Sequence, residues 1–138
     1  MKNIYLIIII SLLQLSNNNI QLFSNITLKI NGTGTKNVFS RLFSSNNYPN
    51  MIYINGIKQP NITYNYNLNE TNNFIELIWN NTINTCYDMF YGCSDITEIN
   101  LSNFNTSQVR DMGSMFRSCS SLSSLDLSNF NTSQVTYM

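Results

Sequence analysis

Residues 89–114 read MFYGCSDITEINLSNFNTSQVRDMGS, and residues 115–138 read MFRSCSSLSSLDLSNFNTSQVTYM. The second stretch repeats the first with a period of 26 residues and no gap. Met89 falls on Met115, Phe90 on Phe116, Cys93 on Cys119, Ile96 on Leu122, Ile99 on Leu125 and Leu101 on Leu127. The run from Leu101 to Val109 recurs unchanged from Leu127 to Val135, too long a match for chance. The phase continues backwards in weaker form, with Ile75 under Leu101, Ile78 under Phe104, Ile83 under Val109 and Cys86 under Met112.

Ile99 and Leu101 are two residues apart and so share one face of a short strand, with Glu98, Asn100 and Ser102 on the other. Phe104, Val109, Met112, Met115 and Phe116 can be buried only if successive repeats stack. The period lies in the leucine-rich-repeat range of about 20–29 residues, and the core reads L-x-x-L-x-L. The expected fold is therefore a β-rich solenoid of leucine-rich-repeat coils with parallel strands. Its atypical first unit, residues 75–88, would cap the stack as a degenerate repeat.

The pattern M-F-x-x-C-S-x-L-x-x-L-D-L-S-N-F-N-T-S-x-V-x-x-M resembles the repeats of the BspA-like leucine-rich-repeat surface proteins, over about residues 75–138. The resemblance implies a solenoid displayed at a cell surface, with a role in adhesion or as an antigen. Members usually carry many repeats. This chain carries one at 89–114 and one at 115–138 and stops at Met138, so repeat 2 reads as truncated. The family occurs in bacteria and in protists. Asn at 25 positions, Ile at 17 and no alanine suit an AT-rich genome, and together these point to a protist source.

Residues 1–20 read as a secretory signal peptide. One positive charge at Lys2 precedes an apolar run from Ile4 to Leu15, too short to span a bilayer, which takes about 20 residues. Secretion or surface display follows, and eight Asn-x-Ser/Thr sequons accompany it. Asn61 and Asn69, in surface loops, are the candidates for glycosylation.

Residues 21–74 read as a β-rich N-terminal cap unit. Ile26–Ile30 alternates, Met51–Ile54 runs into Asn55-Gly56 and then Ile57, a strong hairpin signal, and Ile62–Leu68 alternates again. Phe74–Trp79 is the most apolar strand, and Trp79 is placed to seal the junction with the repeats. Val38, Leu42 and Phe43 are spaced for a short helix. The expectation is a small β-sheet unit covering the exposed strand edge of the first coil. An independent β-sandwich that binds something itself is the alternative.

Composition excludes several functions. Seven basic and seven acidic residues leave the chain neutral, and charged residues are 10% of the total, against about 25% in average proteins. This is no nucleic-acid binder. Without histidine the commonest general base and metal ligand is missing, and three cysteines, Cys86, Cys93 and Cys119, are too few for zinc. Cys93 and Cys119 occupy equivalent positions, which leaves both a disulfide and a pair of small buried thiols open. There is no phosphate loop and no nucleophile elbow, so no cofactor and no catalysis are expected. The Tyr64-Asn-Tyr66-Asn67 run could stack a sugar or cover a small core.

The candidate binding surface is the strand face shared by the two coils: Glu98, Asn100, Ser102, Ser124, Asp126 and Ser128. It is polar and nearly neutral, suited to hydrogen bonding with a protein or glycan ligand. The open C-terminal coil offers a route to self-association. The rival readings are an inert structural or decoy antigen and a hydrolase with its site in the β unit or in missing sequence.

Overall fold

The computed structural model describes residues 23–138; the expected leader at 1–20 lies outside them. The elements in chain order are β1 (Ser24–Asn31), β2 (Gly34–Asn37), a single 3-10 turn (Ser45–Asn47), β3 (Met51–Ile54), β4 (Ile57–Lys58), β5 (Asn65–Leu68), β6 (Asn72–Trp79) and β7 (Ile96–Asn100). Five of the strands form one sheet in the order β4-β3-β6-β1-β7, and β2 pairs with β5 in a second. Every strand pair is antiparallel.

The alternating strands behave as their sequences require. Ile26, Leu28 and Ile30 of β1 face the core with Ile75, Leu77 and Trp79 of β6 and Ile52 of β3. Asn25, Thr27 and Lys29 face outward. Asn55 (φ 50°) and Gly56 (φ 81°) both adopt the left-handed conformation that a two-residue hairpin demands, and Tyr53 and Ile54 pair with Lys58 and Ile57 across it.

The ladder of β1 with β6 continues into that of β2 with β5 round a corner. Asn31 faces Asn72 and Gly34 faces Leu68, three steps on one chain against four on the other. Gly32 and Gly34, at φ 90° and 88°, make that corner possible. Asn73, wholly buried, holds it. Its side-chain amide donates to the carbonyls of Ile30 (3.3 Å), Gly32 (3.1 Å) and Glu70 (2.7 Å), and its oxygen accepts from Asn55 (3.2 Å).

The expected solenoid of parallel-strand leucine-rich-repeat coils is not what forms: the structure is a small antiparallel β-sheet domain. The strand of the first repeat, β7, pairs with β1 instead of with the second repeat, and runs antiparallel to it. A register shift after Lys29 lets Ile96 and Ile99, three apart, both point inward. The second repeat makes no strand at all. Its counterpart of Ile96-Thr-Glu-Ile99 is Leu122-Ser-Ser-Leu125, which lacks β-branched residues. Leu125 and Leu127 stay 37% and 44% exposed. Periodicity identifies which face of a strand is apolar, but not which strand it pairs with or in which direction.

Successive units, the degenerate one at 75–88 included, still touch in register, through turns. The N–H groups of Cys86, Asp88, Phe90 and Gly92 donate to the carbonyls of Asp111, Gly113, Met115 and Arg117 at 2.8–3.1 Å. Phe90 stacks on Phe116 at 5.9 Å, and Phe104 lies 6.3 Å from Phe130. The N-terminal sheet docks on the first repeat in a related way. Ser24 accepts the Asn105 N–H at 2.8 Å, as Thr106 accepts that of Asn131, the residue equivalent to Asn105, at 2.8 Å. Trp79 packs on Phe104 at 5.4 Å and donates to the Asn47 carbonyl at 2.8 Å.

The helix expected at Val38–Phe43 is an irregular turn. The Ser40 hydroxyl accepts the Leu42 N–H (3.1 Å), a local bond that competes with helix formation. Val38, Phe39 and Phe43 are buried, and Leu42 is 54% exposed.

Two outcomes follow. Asn73→Ala should destabilise the protein by about 1–3 kcal/mol, since buried carbonyls lose their donor, which a urea titration would measure. In hydrogen exchange, the amides of Leu125 and Leu127 should exchange faster than that of Leu77, in the centre of β6.

Candidate functional site

The surface foreseen from the repeat divides in two. Glu98 and Asn100 lie on the outward face of the five-stranded sheet, opposite Lys29 and Thr27 of β1. Glu98 forms an exposed ion pair with Lys29 at 2.9 Å. Ser102 follows the strand in a turn, its N–H held by Asn100 Oδ1 at 2.9 Å. Ser124, Asp126 and Ser128 belong to the second repeat, where no strand forms, and all three are exposed. Asp126 accepts the Ser128 N–H at 2.9 Å, which holds its carboxyl below the usual value. The structure therefore does not join the six residues on one strand face. Two of them, Asn100 and Asp126, are turn-formers whose side-chain oxygens are already engaged. Asn61 and Asn69, the glycosylation candidates, are both exposed, in the segments flanking β5.

On the same outward sheet face Glu76 is half-buried beside Asn25, whose amide donates to it at 3.2 Å. Burial raises its carboxyl above the usual range, and the Asn25 bond offsets part of that rise. The three cysteines are free thiols. Burial pushes Cys86 and Cys93 up to about 12, so both are neutral and weakly nucleophilic near pH 7. Cys119 donates to the Phe90 carbonyl at 3.1 Å. Among the described residues no cluster of acidic and cysteine side chains could hold a metal, and no helix is long and apolar enough to cross a membrane.

A different surface gathers unengaged polar groups. Residues 82–84 (Thr-Ile-Asn) and 108–110 (Gln-Val-Arg) are equivalent segments one period apart. In each the middle aliphatic residue is buried, Ile83 at 6% exposure and Val109 at 0%, so its neighbours turn outward. The segments are joined by the Arg110 N–H donating to the Asn84 carbonyl at 2.9 Å. With Asn46 and Asn47 of the 3-10 turn, Thr82, Asn84, Gln108 and Arg110 line an open depression of about 750 Å³. The sequence held a signal for it: an apolar residue with polar neighbours on both sides, changing from Arg110 to Thr136 directly after the nine residues that the repeats share unchanged. Sequence reasoning used Val109 as core and passed over its neighbours.

Residues 59–138 match the family model described as Mycoplasma protein of unknown function, DUF285. No curated protein and no solved structure matches the chain.

Since folding raises the Glu76 carboxyl, its ionisation opposes folding. The stability it contributes is complete below its unfolded value and is lost as pH rises through the folded one. Glu76→Gln should therefore raise the melting temperature at pH 7 and leave it unchanged below about pH 3.5, as thermal unfolding across that range would record.

Proposed function

We propose that this chain, which belongs to the DUF285 family, is a non-catalytic interaction module that serves adhesion at a cell surface or in secreted form. One observation carries the reading. The repeat commits its apolar side chains to a shared interior, and at 82–84 and 108–110 it turns outward amide, hydroxyl and guanidinium groups that no bond among the described residues uses. Such groups suit reversible hydrogen bonding to a glycan or protein. The apolar run at Ile4–Leu15 and the resemblance of residues 75–138 to BspA-like surface proteins support an exported location. The high thiol values and the absence of histidine leave few groups fit for nucleophilic or general-base work at neutral pH.

The full chain, probed on a defined glycan array and against purified extracellular-matrix proteins, should show saturable binding to at least one of them and no turnover. Failure to bind any component would favour an inert antigen. Hydrolysis of glycosidase or protease substrates, abolished by Glu76→Gln or Glu70→Gln, would replace the reading with an enzyme.

A further inference from the structure

Exposed polar side chains that make no hydrogen bond among the described residues, such as Asn81 and Gln134, are spread over the surface, but around one depression they gather beside a cation. Asn100, Asn105, Asp126 and Asn131 each commit an oxygen to the N–H two residues further on, at 2.9–3.0 Å, and are turn-formers. The side chains of Asn46, Asn84 and Gln108 make no hydrogen bond among the described residues. The Arg110 guanidinium forms no ion pair there either, the two pairs being Lys29–Glu98 and Lys36–Asp95. These four unengaged side chains lie around the same depression.

The frame beneath them is held. Arg110 is fixed on both sides of its main chain, by Asn84 and by the Thr136 N–H, which donates to its carbonyl at 2.8 Å. The 3-10 turn is pinned by Trp79 through Asn47. A site whose backbone is already ordered loses little further entropy on binding.

From this geometry we infer that the depression is a binding site for an acidic sugar, a pyranose bearing a carboxylate. The inference rests on the interaction reading above and names its ligand. Amide side chains both donate and accept, which matches vicinal hydroxyls that do the same. The guanidinium offers two parallel N–H groups to a carboxylate. No carboxylate lines the depression to repel an anion, and its volume of about 750 Å³, open to solvent, has room for one pyranose. No aromatic ring lines it, so a neutral sugar gains no stacking, and the charge contact sets the preference.

The test is a nuclear magnetic resonance titration of the full chain with glucuronate, glucose and acetate. Glucuronate should shift the side-chain amide signals of Asn84 and Gln108 saturably, and bind about tenfold or more tightly than either glucose or acetate. Arg110→Thr, which installs the residue its counterpart Thr136 already carries, should weaken glucuronate by about tenfold or more and leave the rest of the spectrum in place. Gln108→Ala, which keeps the cation, should weaken both glucuronate and glucose. Equal affinity for acetate and glucuronate would reveal a simple anion site and overturn the inference. So would unchanged binding by Arg110→Thr, or a glucuronate footprint on the sheet face. A footprint elsewhere leaves the adhesion reading standing, whereas silence across the glycan array and protein panel removes both.

Discussion

Strand β1 has both backbone edges occupied, by β6 on one side and β7 on the other, and the rest of the molecule depends on that arrangement. Through β6 it belongs to the N-terminal sheet; through β7 it takes hold of the first repeat. The apolar side chains of the two halves consequently merge into one core, running from Ile26 and Leu77 to Met89, Ile96 and Val109. The first repeat obtains its strand only because β1 supplies an eight-residue partner. The second repeat, with leucines and a serine where β7 has isoleucines and a threonine, has no such partner and is held by turn contacts and two phenylalanine pairs, one stacked and one tilted.

Few charges take part in this. The ion pairs of Lys29 and Lys36 are partly exposed, and such pairs contribute little. Asparagine does much of the work that charge or helix caps do elsewhere. Asn73 satisfies the carbonyls exposed where the sheet turns its corner, Asn55 occupies a left-handed turn position, and Asn100, Asn105 and Asn131 close turns with their own side chains. An amide is suited to all three tasks because it carries both donors and an acceptor and tolerates left-handed backbone. The same abundance makes asparagine a poor guide to function. An amide whose hydrogen bonds are already used is structural, whereas one whose bonds are free is available to solvent or to a ligand.

That distinction explains how far the candidate site could be read in advance. Glu98, Asn100 and Asp126 were identifiable as outward-facing from alternation alone, but not as engaged: Glu98 meets Lys29, sixty-nine residues earlier in the chain, and no local pattern encodes that contact. The depression around Arg110 draws on three segments distant in sequence. Only its outward-inward-outward pattern at Gln108-Val109-Arg110 was visible locally.

By itself the sequence determined the local chemistry: the Asn55-Gly56 hairpin, the alternating strands of the N-terminal half, the identity of the buried side chains in the first repeat, and the 26-residue register in which Phe90 meets Phe116. These follow from short-range sterics and from the even spacing of apolar groups, which any fold of this chain must respect. Tertiary structure alone decided the direction in which β7 pairs, the turn in place of a helix at Val38–Phe43, and the convergence of Asn46, Asn84, Gln108 and Arg110. The reason is physical. A strand's apolar face is specified by its own residues, but its hydrogen-bonding edges are the same backbone in every strand, and the partner is whichever edge the assembled core brings alongside.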